Sequence, residues 1–518
     1  MSIHKFINMD RLTINMIANF FGRGWSALMG IVFIPLYINF MGIESYGLVG
    51  FFTTLQAVFA ILNLGLSTTL NRELARFSVT AEKSQAMRDL VRTLEVVYWG
   101  LALSIGALVV GLSPFLARSW VNADTLPAEV TQKSLLLMGL VMAFQLPMDF
   151  YSGGLLGLQK QILYNVLNVA WSTLRFAGAA MALHFISPTI ITFFEWQIMV
   201  SIISTGLMAT ALWRSLPPSD QRAKFRISAW NSVSRFAMGI SGISITVLFL
   251  AQLDKIILSK ILSLEFFGYY TLAWTVANGL TIITGSVFTA MFPVFSQHVA
   301  SANTEELKRL YHRGCQLVSV LILPAAILVA FFAKDLLGIW IRDSSTVTNT
   351  YPLVRLLIIG TALNSLMNLP YALQLAYSWT SLVFYTNIIS IIILVPALVV
   401  TTLYFGGIGA ASVWIALNSG YVLIQVHIMH RRLLRGGQWR WYFEDVGYPM
   451  TATLSVISLG HFLIRDRMPF SILLVNLTIL FAFALMSAVF AAPQIRAWFL
   501  SAIERWIKVF CKNLGKAI

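Results

Sequence analysis

Long apolar runs recur along the whole chain, and short polar segments separate them. The hydrocarbon core of a bilayer is about 30 Å thick, and an α-helix of about 20 apolar residues crosses it. We therefore predict about 14 spanning helices, the eleventh and twelfth being separated by the glycines at 406, 407 and 409. The predicted spans are 13–38, 47–70, 94–113, 134–156, 163–184, 190–213, 231–253, 267–295, 314–332, 352–377, 382–404, 408–430, 446–464 and 469–491.

Composition supports a membrane domain and argues against a soluble one. Of the 518 residues, 58% are hydrophobic and 11% are charged, whereas a soluble domain carries about 25% charged residues. The first apolar segment is too long for a cleavable signal, so we expect it to remain as the first span. The net charge of +15 does not indicate nucleic-acid binding, because the basic residues concentrate in alternate loops.

Lysine and arginine are distributed unequally between the two sets of loops. The set that includes both termini holds about 24 of them and the other set about eight, which is typical of the positive-inside rule. We therefore expect both termini in the cytoplasm. The tail 494–518 interleaves basic residues with Trp498, Phe499, Trp506 and Phe510, which predicts an amphipathic helix along the inner leaflet.

Two turns on the predicted outer face resemble each other. Glu44 and Gly47 in the first correspond to Glu265 and Gly268 in the second, six predicted spans later. Because an even number of spans separates them, both halves cross in the same direction, as in a parallel repeat. We interpret the two glutamates as helix-capping residues beside tight turns rather than as catalytic groups.

The predicted fold is an all-α polytopic membrane protein. It has two six-helix lobes related by a parallel pseudo-twofold axis, plus two extra helices. The expected divisions are an N-terminal lobe 1–213, a cytoplasmic linker 214–230, a C-terminal lobe 231–430, the extra helices 446–491 and the cytoplasmic tail 494–518.

Polar residues within the predicted spans repeat at helical spacing, so that each set shares one helix face. A polar stripe facing lipid would be prohibitively costly, so these faces are expected to point inward. Hydrogen bonding between packed helices would explain the amides and hydroxyls equally well. Arginines near the middle of the first and fifth spans favour a water-filled cationic cavity, which suits a phosphate-bearing substrate. The candidate substrate-binding residues are Arg23, Arg175, Arg235, Asn19, Asn165 and Asn168.

Three carboxylates, Asp149, Asp254 and Glu195, are candidates for ion coupling because ionisable groups in a membrane are functional by default. Asp149 could instead pair with an arginine, since an unpaired buried carboxylate is costly. The sequence contains no phosphate-binding glycine loop, and His427 and His430 lack a third ligand. We therefore expect no catalytic residue, no metal and no cofactor.

Several segments resemble a known family. The resemblance covers about residues 10 to 430 and is to the O-antigen and exopolysaccharide flippases of the multidrug/oligosaccharidyl-lipid/polysaccharide (MOP) exporter superfamily. The segments that carry it are Asn19-Phe-Phe-Gly-Arg23-Gly-Trp, Gly42-Ile-Glu-Ser-Tyr-Gly47, Leu64-Gly-Leu-Ser-Thr-Thr-Leu-Asn-Arg72, Asp254-Lys-Ile-Ile-Leu-Ser-Lys, Phe267-Gly-Tyr-Tyr and Phe292-Pro-Val-Phe-Ser.

This resemblance implies a V-shaped, two-lobed helical fold with a central cationic cavity, in which Arg23 stands where such transporters often carry a cation. It implies translocation of an undecaprenyl-diphosphate-linked oligosaccharide from the cytoplasmic to the periplasmic leaflet of a bacterial inner membrane by alternating access. Coupling to an ion gradient or to the membrane potential follows from the same likeness. The implied partners are the lipid-linked oligosaccharide, membrane lipids, H⁺ or Na⁺ and polysaccharide polymerase machinery, with no nucleic acid.

Two other functions are alternatives. A multidrug or cation antiporter of the same superfamily would favour deep carboxylates over the arginines found here. An enzyme acting on the same lipids would need catalytic groups on a sizeable outer loop, yet the longest outer loops have about 20 residues and no paired-carboxylate spacing. The sequence therefore predicts a transporter rather than an enzyme.

Overall fold

The computed structural model describes the chain except for residues 1–18, 20, 23, 61–64, 78–83, 232, 235–251, 465–468 and 515–518, and for 505–514 it describes the backbone alone. The described residues form helices joined by short turns, and no β-strand occurs among them.

The helices of the first half are α1 (Gly24–Val32), α2 (Ile34–Ala60), α3 (Leu66–Phe77), α4 (Ser84–Phe115), α5 (Ala128–Gly157), α6 (Gln161–Phe185), α7 (Ile190–Ser215), α8 (252–261) and α9 (Leu264–Ala300). Those of the second half are α10 (Thr304–Phe331), α11 (Ala333–Trp340), α12 (Ser344–Leu366), α13 (Asn368–Ala376), α14 (Ser381–Gly420), α15 (Val426–Leu433), α16 (Gln438–Arg440), α17 (Tyr448–Leu463), α18 (Phe470–Ala491) and α19 (Pro493–Leu514). Three π-helical turns, Leu116–Trp120, Tyr421–Gln425 and Trp441–Gly447, continue α4, α14 and α16.

The chain divides into two compact units, unit 1 (Met1–Gly268) and unit 2 (Tyr269–Ile518). In unit 1 the central helix is α5, which contacts α2, α3, α4, α6 and α7. Gly106 of α4 faces α5 so closely that a Cβ there would lie 2.6 Å from the Cβ of Ala143. Small residues at this crossing let the two helices approach at backbone distance, as is common in membrane bundles.

In unit 2 the helix α10 plays the corresponding part and contacts α12, α17, α18 and α19. Leu328 of α10 packs with Ile457 of α17 and Leu480 of α18. Val320, two turns earlier, packs with Ala488 and Ile495 of α18 and α19. The last three helices are thus packed onto the core of unit 2 through α10.

Large apolar side chains also cover the outside of the helices. Phe185, Ile392 and Phe462 are 75%, 67% and 86% exposed, which is unfavourable in water and favourable among lipid chains. Among the described residues, nine helices are long and apolar enough to cross a membrane, or ten if the pair α1 and α2, bent by 48°, forms one span. The all-helical multi-pass membrane fold is therefore confirmed, and the number of 14 spans stays a prediction.

The predicted spans 163–184 and 190–213 lie within α6 and α7, and the predicted span 231–253 lies almost wholly outside the described residues. The predicted span 352–377 is two helices, because Pro370 lacks an N–H and its ring would clash with the carbonyl of Leu366, where α12 ends. Between the predicted spans 382–404 and 408–430, Gly406 has φ of 58° and breaks the helical geometry of α14, a conformation that favours glycine. The predicted domain limits remain predictions.

Candidate functional site

Asn19, Trp25 and Ser26 are joined to α6 by a seam of neutral polar side chains, which we call the amide seam. Asn165 Nδ2 donates a hydrogen bond to Asn19 Oδ1 at 2.6 Å, and Asn168 Nδ2 donates to Ser26 Oγ at 3.0 Å. Trp25 Nε1 donates to Thr173 Oγ1 at 2.9 Å. The polar stripe predicted on α6 therefore faces the first helix.

The seam brings together three of the six predicted substrate-binding residues, Asn19, Asn165 and Asn168. Asn165 is only 4% exposed, and its amide also donates to the carbonyl of Gln161 at 2.8 Å. These contacts pair amide donors of α6 as membrane bundles require, whereas Asn165 Oδ1 has no hydrogen-bond partner among the described residues. Substrate contact by the same residues stays a prediction.

Arg175 lies further along α6, towards α7. Its Nε donates to Gln197 Oε1 at 3.0 Å, and its guanidinium carbon lies 5.7 Å from the centre of the Phe176 ring. The side chain is half-buried. Among the described residues, no hydrogen bond occupies the two terminal nitrogens of Arg175. The guanidinium is thus held at one nitrogen and retains donors for an anionic group.

Asp149 lies on α5 and lines a small cavity of about 280 Å³ within unit 1. Gln56 and Gln145 line the same cavity, and their side-chain amides are joined at 2.7 Å. Carboxylate and amide oxygens are ligands that hard cations prefer. The other lining residues are apolar, and the predicted coupling role of Asp149 stays a prediction.

The other predicted carboxylates are paired with lysines. Asp254 Oδ1 lies 3.4 Å from Lys255 Nζ, with both side chains largely buried. Glu195 Oε1 lies 3.9 Å from Lys133 Nζ, and both of these side chains are more than half exposed. Their predicted coupling role stays a prediction. Arg23 and Arg235 lie outside the described residues.

Glu44 supports the backbone of the loop that precedes α5. It is 7% exposed, and its carboxylate accepts from the backbone N–H groups of Asp124 at 2.6 Å and Thr125 at 3.1 Å. The Thr125 hydroxyl also donates to it. The structural interpretation of Glu44 fits these contacts, although the N–H groups belong to a distant loop and not to the end of its own helix.

Sequence reasoning missed a buried polar cluster in unit 2. Asp445 is fully buried, and its two oxygens contact His312 Nδ1 at 2.5 Å and Gln316 Nε2 at 2.9 Å. Gln316 Oε1 accepts from the backbone N–H of Gln494 at 2.8 Å. The signals in the sequence were an acidic residue at the start of the predicted span 446–464 and a glutamine inside the span 314–332.

The polysaccharide biosynthesis protein family profile matches residues 12–299, more than half of the chain. The MatE profile matches residues 240–400. The chain belongs to the polysaccharide biosynthesis protein family, and with it to the MOP exporter superfamily. No curated protein sequence matches this chain.

Solved structures of two kinds share the fold. An inward-facing multidrug resistance MATE family transporter has a TM-score of 0.65 and 14% identity, covering 80% of this chain and 94% of that chain. The lipid II flippase MurJ in an inward closed conformation has a TM-score of 0.63 and 14% identity, covering 92% of this chain and 99% of that chain. The MATE multidrug transporter DinF-BH has a TM-score of 0.58 and 15% identity, covering 82% and 95%. The family profiles confirm the predicted membership of the MOP superfamily, and these structures show the shared fold.

Proposed function

We propose that this protein is a flippase that moves an undecaprenyl-diphosphate-linked oligosaccharide from the cytoplasmic to the periplasmic leaflet of a bacterial inner membrane. The glycan is an O-antigen or exopolysaccharide repeat unit. Transfer proceeds by alternating access, driven by an ion gradient or the membrane potential, with both termini in the cytoplasm. The protein acts as a transporter and not as an enzyme.

The observation that carries the proposal is the family match combined with the extent of the shared fold. The polysaccharide biosynthesis profile covers residues 12–299. The likeness to the lipid II flippase extends over 92% of this chain, whereas the likeness to the first MATE transporter extends over 80%. A lipid-linked glycan flippase accounts for both the family and this longer match.

Arg175 supplies the chemistry expected of such a path. A diphosphate carries negative charge on oxygens that guanidinium donors match in geometry. Gln197 fixes the Nε of Arg175, so the terminal nitrogens keep one orientation. Asp149 and the two glutamines beside it supply the coupling site for a proton or sodium ion.

The test is reconstitution of the full chain into liposomes with a fluorescent undecaprenyl-diphosphate oligosaccharide in one leaflet. Transfer is followed as protection from an external quencher in wild type, in Arg175→Ala and in the control Arg118→Ala. Arg118 is an exposed arginine in the π-helical turn that follows α4. Transfer that is lost only in Arg175→Ala is the expected result. Unchanged transfer in Arg175→Ala removes the role of Arg175, and no transfer by wild type under an imposed gradient rejects the flippase.

A multidrug or cation antiporter is the second candidate. The MatE match over residues 240–400 and the cavity lined by Asp149 favour it. It predicts efflux of a cationic dye from the same vesicles when a proton or sodium gradient is imposed, with loss of efflux in Asp149→Asn. Dye retention together with lipid transfer would reject the antiporter and retain the flippase.

A further inference from the structure

Unit 2 contains a cavity of about 1040 Å³ at the start of α10, beside the turn 434–437 and the first two turns of α19. Five basic side chains line it, and so do two glutamates. The basic residues are Lys308, Arg309, Arg313, Arg435 and Arg440. The cavity lies within one unit, and none of the predicted substrate-binding or ion-coupling residues lines it.

The two glutamates do not neutralise the whole set. Glu305 pairs with Lys308 at 3.0 Å and Glu306 pairs with Arg309 at 2.7 Å. These are neighbours along the same helix, so each acid is already matched to one base. Arg440 pairs at 2.9 Å with Glu444, which does not line the cavity.

Of the five basic side chains that line the cavity, Arg313 and Arg435 are left to consider. Neither takes part in an ion pair within the part of the chain that the structure describes. The Nε of Arg313 is buried and has no hydrogen-bond partner among these residues. A buried donor without a partner is costly, so this guanidinium has hydrogen-bonding capacity that a bound anion would use.

The wall of the cavity is held in place by the buried cluster of unit 2. His312 lines the cavity and is 2% exposed, and Asp445 fixes its ring through Nδ1. Gln316, held by the same carboxylate, accepts from the N–H of Gln494, which lines the cavity from α19. These contacts therefore join α10, the π-helical turn Trp441–Gly447 and the start of α19 beside the basic side chains.

We propose that this cavity binds a phosphate group, through Arg313 and Arg435. Guanidinium groups grip phosphate oxygens through two parallel hydrogen bonds, which gives strength and orientation. The phosphate belongs either to the headgroup of an anionic phospholipid or to a soluble phosphorylated compound. Trp498 of α19 also lines the cavity, and a tryptophan beside basic side chains is typical of a membrane interface. The proposal does not depend on the flippase activity.

Two arms separate the sources. In the first, inorganic pyrophosphate is titrated calorimetrically into the full chain in neutral detergent. In the second, native mass spectrometry measures retention of phosphatidylglycerol against phosphatidylcholine. Binding in the first arm assigns a soluble phosphate, and selective retention in the second arm alone assigns a lipid headgroup.

The double variant Arg313→Gln/Arg435→Gln is compared with the control double variant Arg342→Gln/Arg431→Gln. The control also removes two positive charges, but from exposed positions outside the cavity. Affinity is expected to fall about tenfold or more in the first variant and to stay unchanged in the control. Because Arg435 is exposed, Arg435→Glu tests the same loss without disturbing the folded interior. Equal binding in all variants, an equal loss in the control, or no binding in either arm would overturn the proposal.

Discussion

In unit 1, α6 meets the first helix through neutral amides and hydroxyls, whereas in unit 2, α10 meets its neighbours through a buried carboxylate. Asn165 donates an amide hydrogen bond to Asn19, and the Asp445 carboxylate contacts His312 and Gln316. Removing the Asn165 side chain leaves one side-chain partner, Asn19, without its donor. Removing the Asp445 carboxylate leaves two buried partners, His312 and Gln316, unsatisfied. The carboxylate cluster should therefore contribute more to stability per residue than the amide seam.

The largest effect is expected for Asp445→Ala. Asp445→Ala leaves His312 and Gln316 without their buried partner, and each buried polar group left unsatisfied costs about 1–3 kcal/mol. Unfolding in mixed detergent micelles, followed by tryptophan fluorescence, measures the free-energy change. The control is Glu444→Ala, the adjacent residue, whose pair with Arg440 is exposed and is worth about 1 kcal/mol or less. Similar losses in the two variants would remove the distinction between the cluster and an ordinary surface pair.

Glu44→Ala comes next and tests a charged group in unit 1. Its carboxylate serves backbone N–H groups of the loop before α5, and leaving buried donors without an acceptor costs about 1–3 kcal/mol. The same unfolding measurement is made on Glu129→Ala, an exposed glutamate in the first turn of α5. A loss in Glu44→Ala no larger than in this control would show that Glu44 does not anchor the loop.

Asn165→Ala should have a smaller effect, because hydrogen bonds between membrane helices contribute about 0.6 kcal/mol on average and up to about 1.7 kcal/mol. The control is Asn349→Ala, an exposed asparagine of α12. If Asn165→Ala destabilised unit 1 as much as Asp445→Ala destabilises unit 2, the comparison of the amide seam with the carboxylate cluster would be wrong. A loss of lipid transfer with stability retained would instead give Asn165 a role in the substrate path.

An effect of similar size is expected for a helix cap in unit 2. Asp343 caps α12 by accepting from the N–H of Thr346 at 2.8 Å and the hydroxyl of Ser345 at 2.7 Å, and hydrogen bonds from Thr346 and Ser345 lower the pKa of this carboxyl. Asp343→Ala should cost about 1 kcal/mol at pH 7.

A lowered folded pKa means that the stabilisation is present above the unfolded pKa of about 3.9 and is lost as pH falls through the folded value. The difference between wild type and Asp343→Ala should therefore shrink below about pH 4. Asn303→Ala removes a neutral cap from α10, so its cost should not change in this way. A pH-independent cost at Asp343 would contradict the pKa argument.

The sequence could predict the features that depend on local pattern. Apolar runs defined α6 and α7 within a few residues, and Gly406 marked the break in α14 because the φ there favours glycine. The polar stripe containing Asn165 and Asn168 was visible because a helix repeats every 3.6 residues. The stripe could not distinguish a lined cavity from a helix contact, since both require the same inward face.

Length, hydropathy and helical periodicity thus determined by themselves that this chain is an all-helical membrane protein, because each depends only on neighbouring residues and on the thickness of a bilayer. The short sequence segments named above also showed the resemblance to the exporter superfamily without the structure. Only the tertiary structure decided which polar groups meet. His312, Asp445 and Gln494 lie far apart in the chain and come together only when α10, the turn before α17 and α19 pack. No local pattern encodes such contacts, because packing between distant segments sets the distances that hydrogen bonds require.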